Sequence, residues 1–435
     1  MRTYEEIVEF ILEIPKFTKK NNLQHTRILL ERLGNPQEKF QVIHVAGSNG
    51  KGSVCACIDS VLRQAGKKTG MFTSPHLVFM EERFVVEGKP CDRNLFVKAA
   101  EQVAKAAEDM LQKGLPYPTF FEYIFAMGMI IFAEQQVEYA VLETGLGGRL
   151  DATNVVKQPV LTVITSISLE HTEILGHTIS EIASEKAGIL KKHVPAVYDA
   201  SLPKVRTVIE NYASSLECPL YPVFPSEIKI LLNNGKKIAF SYDSGYDITE
   251  LEIPFAAPYQ VGNAALALRA VQCLMKNECI SKQAVRQGFA QVKWKGRMQQ
   301  AATEVYFDGA HNLEGIEKFL EAAALISKNP AVLLFSMVKE KDYLHAADRL
   351  LAERNWEEII LTTVPGIRGI DAGDLAEIFE KKAKERQDTV KITEIGEIEA
   401  AYAYALSVKK TGQVLFCAGS LYLIGELERI TGGMS

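Results

Sequence analysis

The chain is short of the features that mark several large classes of protein. Its net charge is only −5 across 435 residues, with 24% of positions charged. No basic excess is present to neutralise a nucleic-acid backbone or an anionic membrane, so neither is expected as a partner. Long apolar runs are missing. The longest, Ile124 to Ala133, is about half of the roughly 20 residues a bilayer-spanning helix needs. Cysteine is sparse and odd in number, with seven residues scattered from Cys55 to Cys417. That excludes a disulfide framework and reads as free thiols in a reducing cytoplasm. Cys55 and Cys57 lie two apart in a predicted helix, face different sides, and make a poor metal pair. Glu5, Glu6, Glu9 and Glu13 argue against a signal peptide over residues 1–14. There is no internal repeat and no low-complexity tail.

What the chain does contain is material for large cores. Hydrophobic residues make up 47% of it, and its length suggests two domains. Strand-like runs at 41–46, 68–72, 139–143, 159–167 and 194–198 alternate with helical patterns at 94–113, 119–136 and 177–190. Helical periodicity also covers 4–14 and 23–34. This alternation predicts an α/β fold with a mostly parallel sheet covered on both faces. Short runs broken by Asn233-Asn234-Gly235 and Asp243-Ser244-Gly245 predict a small antiparallel insert near 226–255. Helices follow at 260–276 and 281–289. A second, smaller α/β unit is expected beyond Lys295-Gly296-Arg297, with strands at 304–308, 331–335, 357–361, 389–393 and 413–417 between helices. The expected domains are therefore 1–296 and 297–435.

The segment richest in chemistry is Gly47-Ser48-Asn49-Gly50-Lys51-Gly52-Ser53, directly after the apolar run 41–46. Strand, Gly-rich turn, then helix is the layout of a phosphate cradle. Glycines let backbone N–H groups approach one phosphate chain. Lys51 can neutralise phosphate charge, and the Ser53 hydroxyl can reach a phosphate-bound Mg2+. Gly52 between Lys51 and Ser53 departs from the commoner loop. A tight strand–helix turn is the plain alternative, though such a turn has no need of the lysine.

Other strand ends are polar in the same way. The run 139–143 ends in Glu143, before Gly145, Gly147, Gly148, Arg149, Asp151 and Asn154. The run 159–167 ends in Ser168-Leu169-Glu170-His171. Ser74 and His76 follow the strand at 68–72. Open parallel sheets keep their sites at such carboxyl ends. Ser53, Ser74, Glu143 and His171 together make a candidate magnesium shell, with one carboxylate among four groups, so phosphate oxygens and water would complete it. Lys186 ends a helix among alanines; it either reaches this crevice or snorkels to the surface. In the second unit Asp308 and His311 end the strand at 304–308, Asp308 as a ribose acceptor and His311 beside phosphate or the reacting acyl group. Asn263 opens a helix and is a candidate adenine or ribose contact, and Arg297 on the connector is a candidate phosphate contact. For each of these, helix capping or surface charge is the ordinary alternative.

Taken in order, these segments resemble the folylpolyglutamate synthase/dihydrofolate synthase family of the Mur ligase superfamily. The matching stretches are His44 to Ser53, Thr73-Ser74-Pro75-His76-Leu77, Glu143 to Asn154, Glu170-His171-Thr172, Ser184 to Ile189, Lys295-Gly296-Arg297 and Asp308 to Asn312. The resemblance implies a P-loop-like ATPase domain and a smaller Rossmann-like domain, with ATP between them. It implies ATP contacts from Gly47, Asn49, Gly50, Lys51, Gly52, Ser53, Asn263, Arg297, Asp308 and His311. Ser53, Ser74, Glu143 and His171 become magnesium ligands, and Lys186 a lysine open to carbamylation. Lys51, Lys186 and His311 are the catalytic candidates, while His76, Arg149 and Asp151 are candidate substrate contacts.

The implied reaction is phosphorylation of a carboxylate by ATP, then attack by an amine. The acid is the γ-carboxyl of a folate tail or dihydropteroate, the amine is that of L-glutamate, and the enzyme is a cytoplasmic monomer. Glu170 stands where Asp is common, Lys295 and Leu313 where proline is common, and Ser48 where threonine is common; none removes a proposed ligand. Two other readings are a Mur-type ligase acting on a UDP-linked peptidoglycan precursor and a non-catalytic ATP-binding regulator. The first usually carries a further N-terminal domain, for which the 46 residues before Gly47 leave little space. The second has no need of the full set of charged residues.

Overall fold

The computed structural model describes residues 3–15, 23–245, 248–275, 278–353, 356–366 and 368–432. They divide into two compact units. The first takes residues 1–229, 240–253 and 262–292, and the second 230–239, 254–261 and 293–435.

The first unit is built on an eight-stranded sheet. Its strands are β1 (Gln41–Ala46), β2 (Thr69–Phe72), β3 (Phe84–Val86), β4 (Lys89–Pro90), β5 (Tyr139–Glu143), β6 (Leu161–Ile164), β7 (Ala196–Asp199) and β8 (Leu220–Val223). Their order across the sheet is β4-β3-β2-β5-β1-β6-β7-β8. All pairs are parallel except β2–β3 and β3–β4, an antiparallel edge. β5 is buried along its whole length, and β1 everywhere but Gln41, as strands covered on both faces must be. β1 lies between β5 and β6, and the chain leaves it toward one side for β2 and later toward the other for β6. This is the switch point at which open sheets hold ligands.

Helix Phe120–Glu134 explains the apolar run found in the sequence. It is buried almost all round, joins the core with Phe72, Phe84 and Phe96, and is closed at its start by a capping box between Thr119 and Glu122. Among the described residues no helix is long and apolar enough to cross a membrane.

The second unit is a six-stranded sheet of β12 (Gln299–Ala302), β13 (Val305–Phe307), β14 (Ala331–Phe335), β15 (Trp356–Leu361), β16 (Lys391–Glu394) and β17 (Leu415–Ala418). Its order is β12-β13-β17-β14-β15-β16, parallel except β12–β13. A separate three-stranded sheet holds β9 (Ile228–Asn233), β10 (Ile238–Asp243) and β11 (Ile248–Ile253) in the order β11-β10-β9.

The α/β architecture with mostly parallel sheets is as the sequence predicts. The details differ where side chains override pattern. The strand expected over 159–167 is only Leu161–Ile164, because Thr165 and Ser166 turn away to donate to the Asn49 carbonyl. The helix expected over 177–190 is Ile179–Ala187, and a short helix not expected from the sequence, Thr172–Leu175, precedes it. They are separated by Gly176 at φ 112° and by a capping box on Thr178. Helix Pro203–Ser215, strand β8 and the β3–β4 hairpin have no counterpart in the sequence reading.

Candidate active site

The carboxyl ends of the central strands lie level. Val45 pairs with Glu143, Ala46 with Ile164, and Phe72 with Leu142. Neighbouring strands are about 4.8 Å apart, so the segments after β1, β2, β5 and β6 open onto one edge.

The turn after β1 is shaped by two glycines. Gly47 has φ 150° and Gly50 φ 84°, where side chains are disfavoured. A Cβ on Gly47 would come within 1.8 Å of Thr165 Oγ1, and one on Gly50 within 2.1 Å of Asn263 Oδ1. The turn is braced by the segment after β6. Ser48 N donates to Ser166 O at 2.8 Å, Ser168 N to Ser48 Oγ at 3.0 Å, and Thr165 Oγ1 to Asn49 O at 2.7 Å. Helix Lys51–Gln64 follows at once, and its first i→i−4 bond runs from Val54 N to Gly50 O at 2.9 Å. The amides of Lys51, Gly52 and Ser53 precede that bond and are the groups a helix start offers to an anion.

Lys51 folds over this turn. Its Nζ donates to Gly47 O at 2.9 Å and Ser48 O at 3.0 Å, with Glu143 Oε1 at 4.0 Å. Glu143 is buried at the end of β5, and its Oε2 accepts from Ser74 N at 3.1 Å. The Ser53 hydroxyl is buried and has no hydrogen-bond partner, and the same holds for Thr144 Oγ1. Buried hydroxyls are normally satisfied, so unspent ones in the segments after β1 and β5 mark a place for an external oxygen or a cation.

These donors fit a hard cation. A serine hydroxyl and a carboxylate are oxygen ligands of the kind Mg2+ selects. The described residues contain no group of three His, Cys, Asp or Glu able to hold a metal unaided, so a cation here would need phosphate oxygens and water for most of its ligands. His171 is exposed, sits at φ 46°, and precedes the short helix Thr172–Leu175.

Lys186 is 1% exposed and reaches the same turn. Its Nζ donates to Gly47 O at 2.8 Å and to Glu170 Oε1 at 2.8 Å. Burial draws the Lys186 ammonium down to a pKa of about 8, partly offset by Glu170. Burial would raise Glu170, yet the charges of Lys186 and Lys51 overcome it and hold that carboxyl at about 2. The pair is therefore ionic near neutral pH.

The remaining first-unit candidates are tied into the scaffold. Asp151 is buried and accepts from Leu146 N at 2.8 Å, Thr153 N at 3.0 Å and Thr153 Oγ1 at 2.5 Å, fixing the glycine turn after Glu143. Thr153 in turn meets the buried His44 Nε2 at 2.7 Å. Arg149 is exposed and pairs with Glu185 at 2.7 Å. His76 Nδ1 accepts from Arg83 Nε at 2.8 Å.

In the second unit Asp308 follows β13 and is buried. It accepts from Tyr259 Oη, Met298 N and Ala310 N, each at 2.8 Å. His311 Nδ1 donates to Gly309 O at 2.7 Å. Arg297 is half-buried, and its Nη1 donates to Gly296 O at 3.3 Å. Ser336, one residue past β14, has a fully buried hydroxyl with no partner.

Sequence reasoning passed over Thr165, Ser168, Thr144, Ser336 and Glu170 as the partner of Lys186. The first four carried a readable signal, a hydroxyl just past an apolar strand. No spacing rule links position 170 to 186.

Similarity to known proteins agrees with this geometry. Residues 296–421 match the family model described as Mur ligase, glutamate ligase domain. The chain is 34% identical to a dihydrofolate synthase/folylpolyglutamate synthase of Bacillus subtilis (strain 168), over 98% of each chain. A Mycobacterium tuberculosis folylpolyglutamate synthase complexed with ADP superposes with a TM-score of 0.90 at 26% identity, over 99% of this chain and 98% of that one. An FPGS–AMPPCP–folate complex superposes with a TM-score of 0.84 at 29% identity, over 100% of each chain.

Proposed function

The chain belongs to the dihydrofolate synthase/folylpolyglutamate synthase family of ATP-dependent ligases, and from that premise we propose how its own residues make the amide bond. One observation carries the reading: the turn 47–53 lies at the sheet's switch point with the Ser53 hydroxyl buried and unspent, and Lys51 of the same turn stands 4.0 Å from the buried Glu143 carboxylate.

ATP is the nucleotide. Its phosphates take the amides of Lys51, Gly52 and Ser53, and Lys51 Nζ exchanges its carbonyl partners for phosphate oxygens. Ser53 and Glu143 would hold Mg2+, with Ser74 and His171 as further proposed contacts; when bound, the ion neutralises phosphate charge. Asn263, Arg297 and His311 are the remaining proposed nucleotide contacts. Asp308 has both carboxylate oxygens engaged, which supports a framing role for it behind Arg297 and His311.

A carboxylate oxygen of the acceptor acid attacks the γ-phosphorus, the bond to ADP breaks, and an acyl phosphate forms. The glutamate amine then attacks the acyl carbon, inorganic phosphate leaves, and the nitrogen gives up its proton. Lys51 stabilises the transferring charge. His76, Arg149 and Asp151 belong to segments proposed to line the acceptor side. The acid is a folate with a free γ-carboxyl, and dihydropteroate is the second candidate.

Lys186 is the proposed carbamylation site. A pKa of about 8 leaves a neutral fraction of amine able to add CO2 with loss of one proton. The Glu170 pair is the competing state, and 13C-bicarbonate NMR separates the two. A reducing cytoplasm suits the buried thiols of Cys55, Cys57 and Cys417, and a monomer is the proposed assembly, checked by sedimentation.

The deciding assay measures ADP release with a reduced monoglutamyl folate and with dihydropteroate, side by side. Turnover should require both the acid and glutamate. ATP hydrolysis at the same rate without the acid would remove the ligase mechanism, and activity with dihydropteroate would establish the second substrate.

A further inference from the structure

A cavity of about 380 Å3 lies within the first unit, away from the nucleotide turn in sequence. Helices Tyr259–Leu274 and Lys282–Gln291 supply most of its wall, with residues near β8 and β11 closing it. Its floor is apolar, including Leu268 and Val285, both buried. Its rim is cationic. The Arg269 guanidinium sits 5.0 Å over the Tyr221 ring, a rigid platform. Lys282 and Arg286 lie four apart on one helix and so share a face.

These two surfaces select together. Inorganic phosphate would meet the charges but leave the apolar floor wet. A neutral hydrocarbon would fill the floor but make no use of the charged rim. A ligand with a flat apolar body and an anionic group satisfies both, and the volume falls within the usual range for small-molecule sites, about 300–1,000 Å3.

Both wall helices also press on the nucleotide segment. Helix Tyr259–Leu274 carries Asn263, whose amide lies against Gly50. Helix Lys282–Gln291 carries Gly288, where a Cβ would meet Val61 Cα at 2.5 Å, and Gly288 O accepts from Ser60 Oγ at 2.8 Å. Val61 and Ser60 belong to the helix that Lys51 opens. Anything that spreads or tightens the two walls therefore pushes on both ends of the phosphate-loop helix.

We propose that this cavity binds a small organic anion with a flat apolar body, and that its occupancy is coupled to the nucleotide turn. The probe is 8-anilinonaphthalene-1-sulfonate, with N-phenyl-1-naphthylamine as its uncharged counterpart, each titrated into the full-length protein. The sulfonate should show one saturable site, weakened at least about tenfold in the charge-reversed variant K282E/R286E, while the neutral dye keeps its affinity. Both substitutions are at exposed positions, and circular dichroism verifies the fold. Equal sulfonate affinity in the two proteins overturns the site.

Repeating the titration with ADP present reads the coupling. The sulfonate affinity should shift by roughly fivefold and then level off as ADP saturates. Unlimited weakening means that the dye occupies the nucleotide site and overturns the proposal, and no shift overturns the coupling. Failure of ADP to bind would instead count against the ligase reading, and the cavity would still stand or fall on the dye titration.

Discussion

The two sheets follow one rule and use it differently. Each places polar residues at or just past the carboxyl ends of adjacent parallel strands: Gly47–Ser53, Glu143 and Thr165–Glu170 in the first unit, Asp308, Ser336 and Ser420 in the second. In the first, hydrogen-bonding capacity is left over. Ser53 and Thr144 hydroxyls are buried without partners, and Lys51 holds only backbone carbonyls of its own turn, with Glu143 at the limit of ion pairing. In the second, the Ser336 hydroxyl is also unpartnered, but the most prominent acid is consumed internally, because Asp308 takes three donors from Tyr259, Met298 and Ala310. Position in the fold nominates a residue for a site; unspent polar capacity separates a ligand-binding group from a framing one.

The strongest way to break this comparison is Lys51→Ala. If Lys51 stabilises the transferring phosphoryl as proposed, losing its charge should cut kcat by about 10²–10³-fold with the fold intact by circular dichroism. Near-normal kcat would show that the turn is not where phosphate binds.

Glu170→Gln comes next. It leaves Lys186 charged and buried without its counter-ion, a change worth roughly 3–5 kcal/mol in a urea titration. The pH dependence carries its own sign. The carboxyl is lowered to about 2, so its stabilisation is fully present above its unfolded value and is lost as pH falls through about 2. Lys186 is lowered to about 8, so the unfolded chain holds more protons from there up to the ordinary lysine value of about 10.4, and stability rises with pH across that window. A Glu170→Gln variant as stable as the parent would mean that the pair contributes nothing.

Asp308→Asn sharpens the contrast. An amide cannot accept from both Met298 N and Ala310 N, so one buried N–H is orphaned at about 1–3 kcal/mol. A framing role predicts that stability loss together with lower kcat. A rise in KM for ATP with unchanged stability would make Asp308 a nucleotide ligand instead.

Ser53→Ala should have the smallest effect on folding. Its hydroxyl has no partner to lose, so stability should hold within about 0.5 kcal/mol or rise slightly, while ATP turnover falls. A clear loss of stability would show that the hydroxyl is satisfied internally.

Much of the fold was legible because burial writes itself into pattern. The apolar runs that became β1, β5 and β14 are strands covered on both faces, and Gly47 and Gly50 sit where positive φ and close approach by Thr165 and Asn263 leave no space for a side chain. The edges were less legible. β8 and the β3–β4 hairpin are short and partly exposed, so no strong periodicity marks them. The helix expected over 177–190 misplaced its start because Thr178 caps it locally, which a periodicity count does not register.

By itself, then, the sequence determined the α/β class, the order of most elements and the strand–glycine turn–helix layout at 41–64, because each depends on residues adjacent in the chain. Only the tertiary structure decided that Lys186 pairs with Glu170, that Asp151 and Asp308 spend their oxygens internally, and that the Ser53 hydroxyl stays unspent. Those facts depend on groups brought together across many residues of chain, and on burial, which sets what an unpaired charge or hydroxyl costs and is fixed only once the sheet and its helices have closed around it.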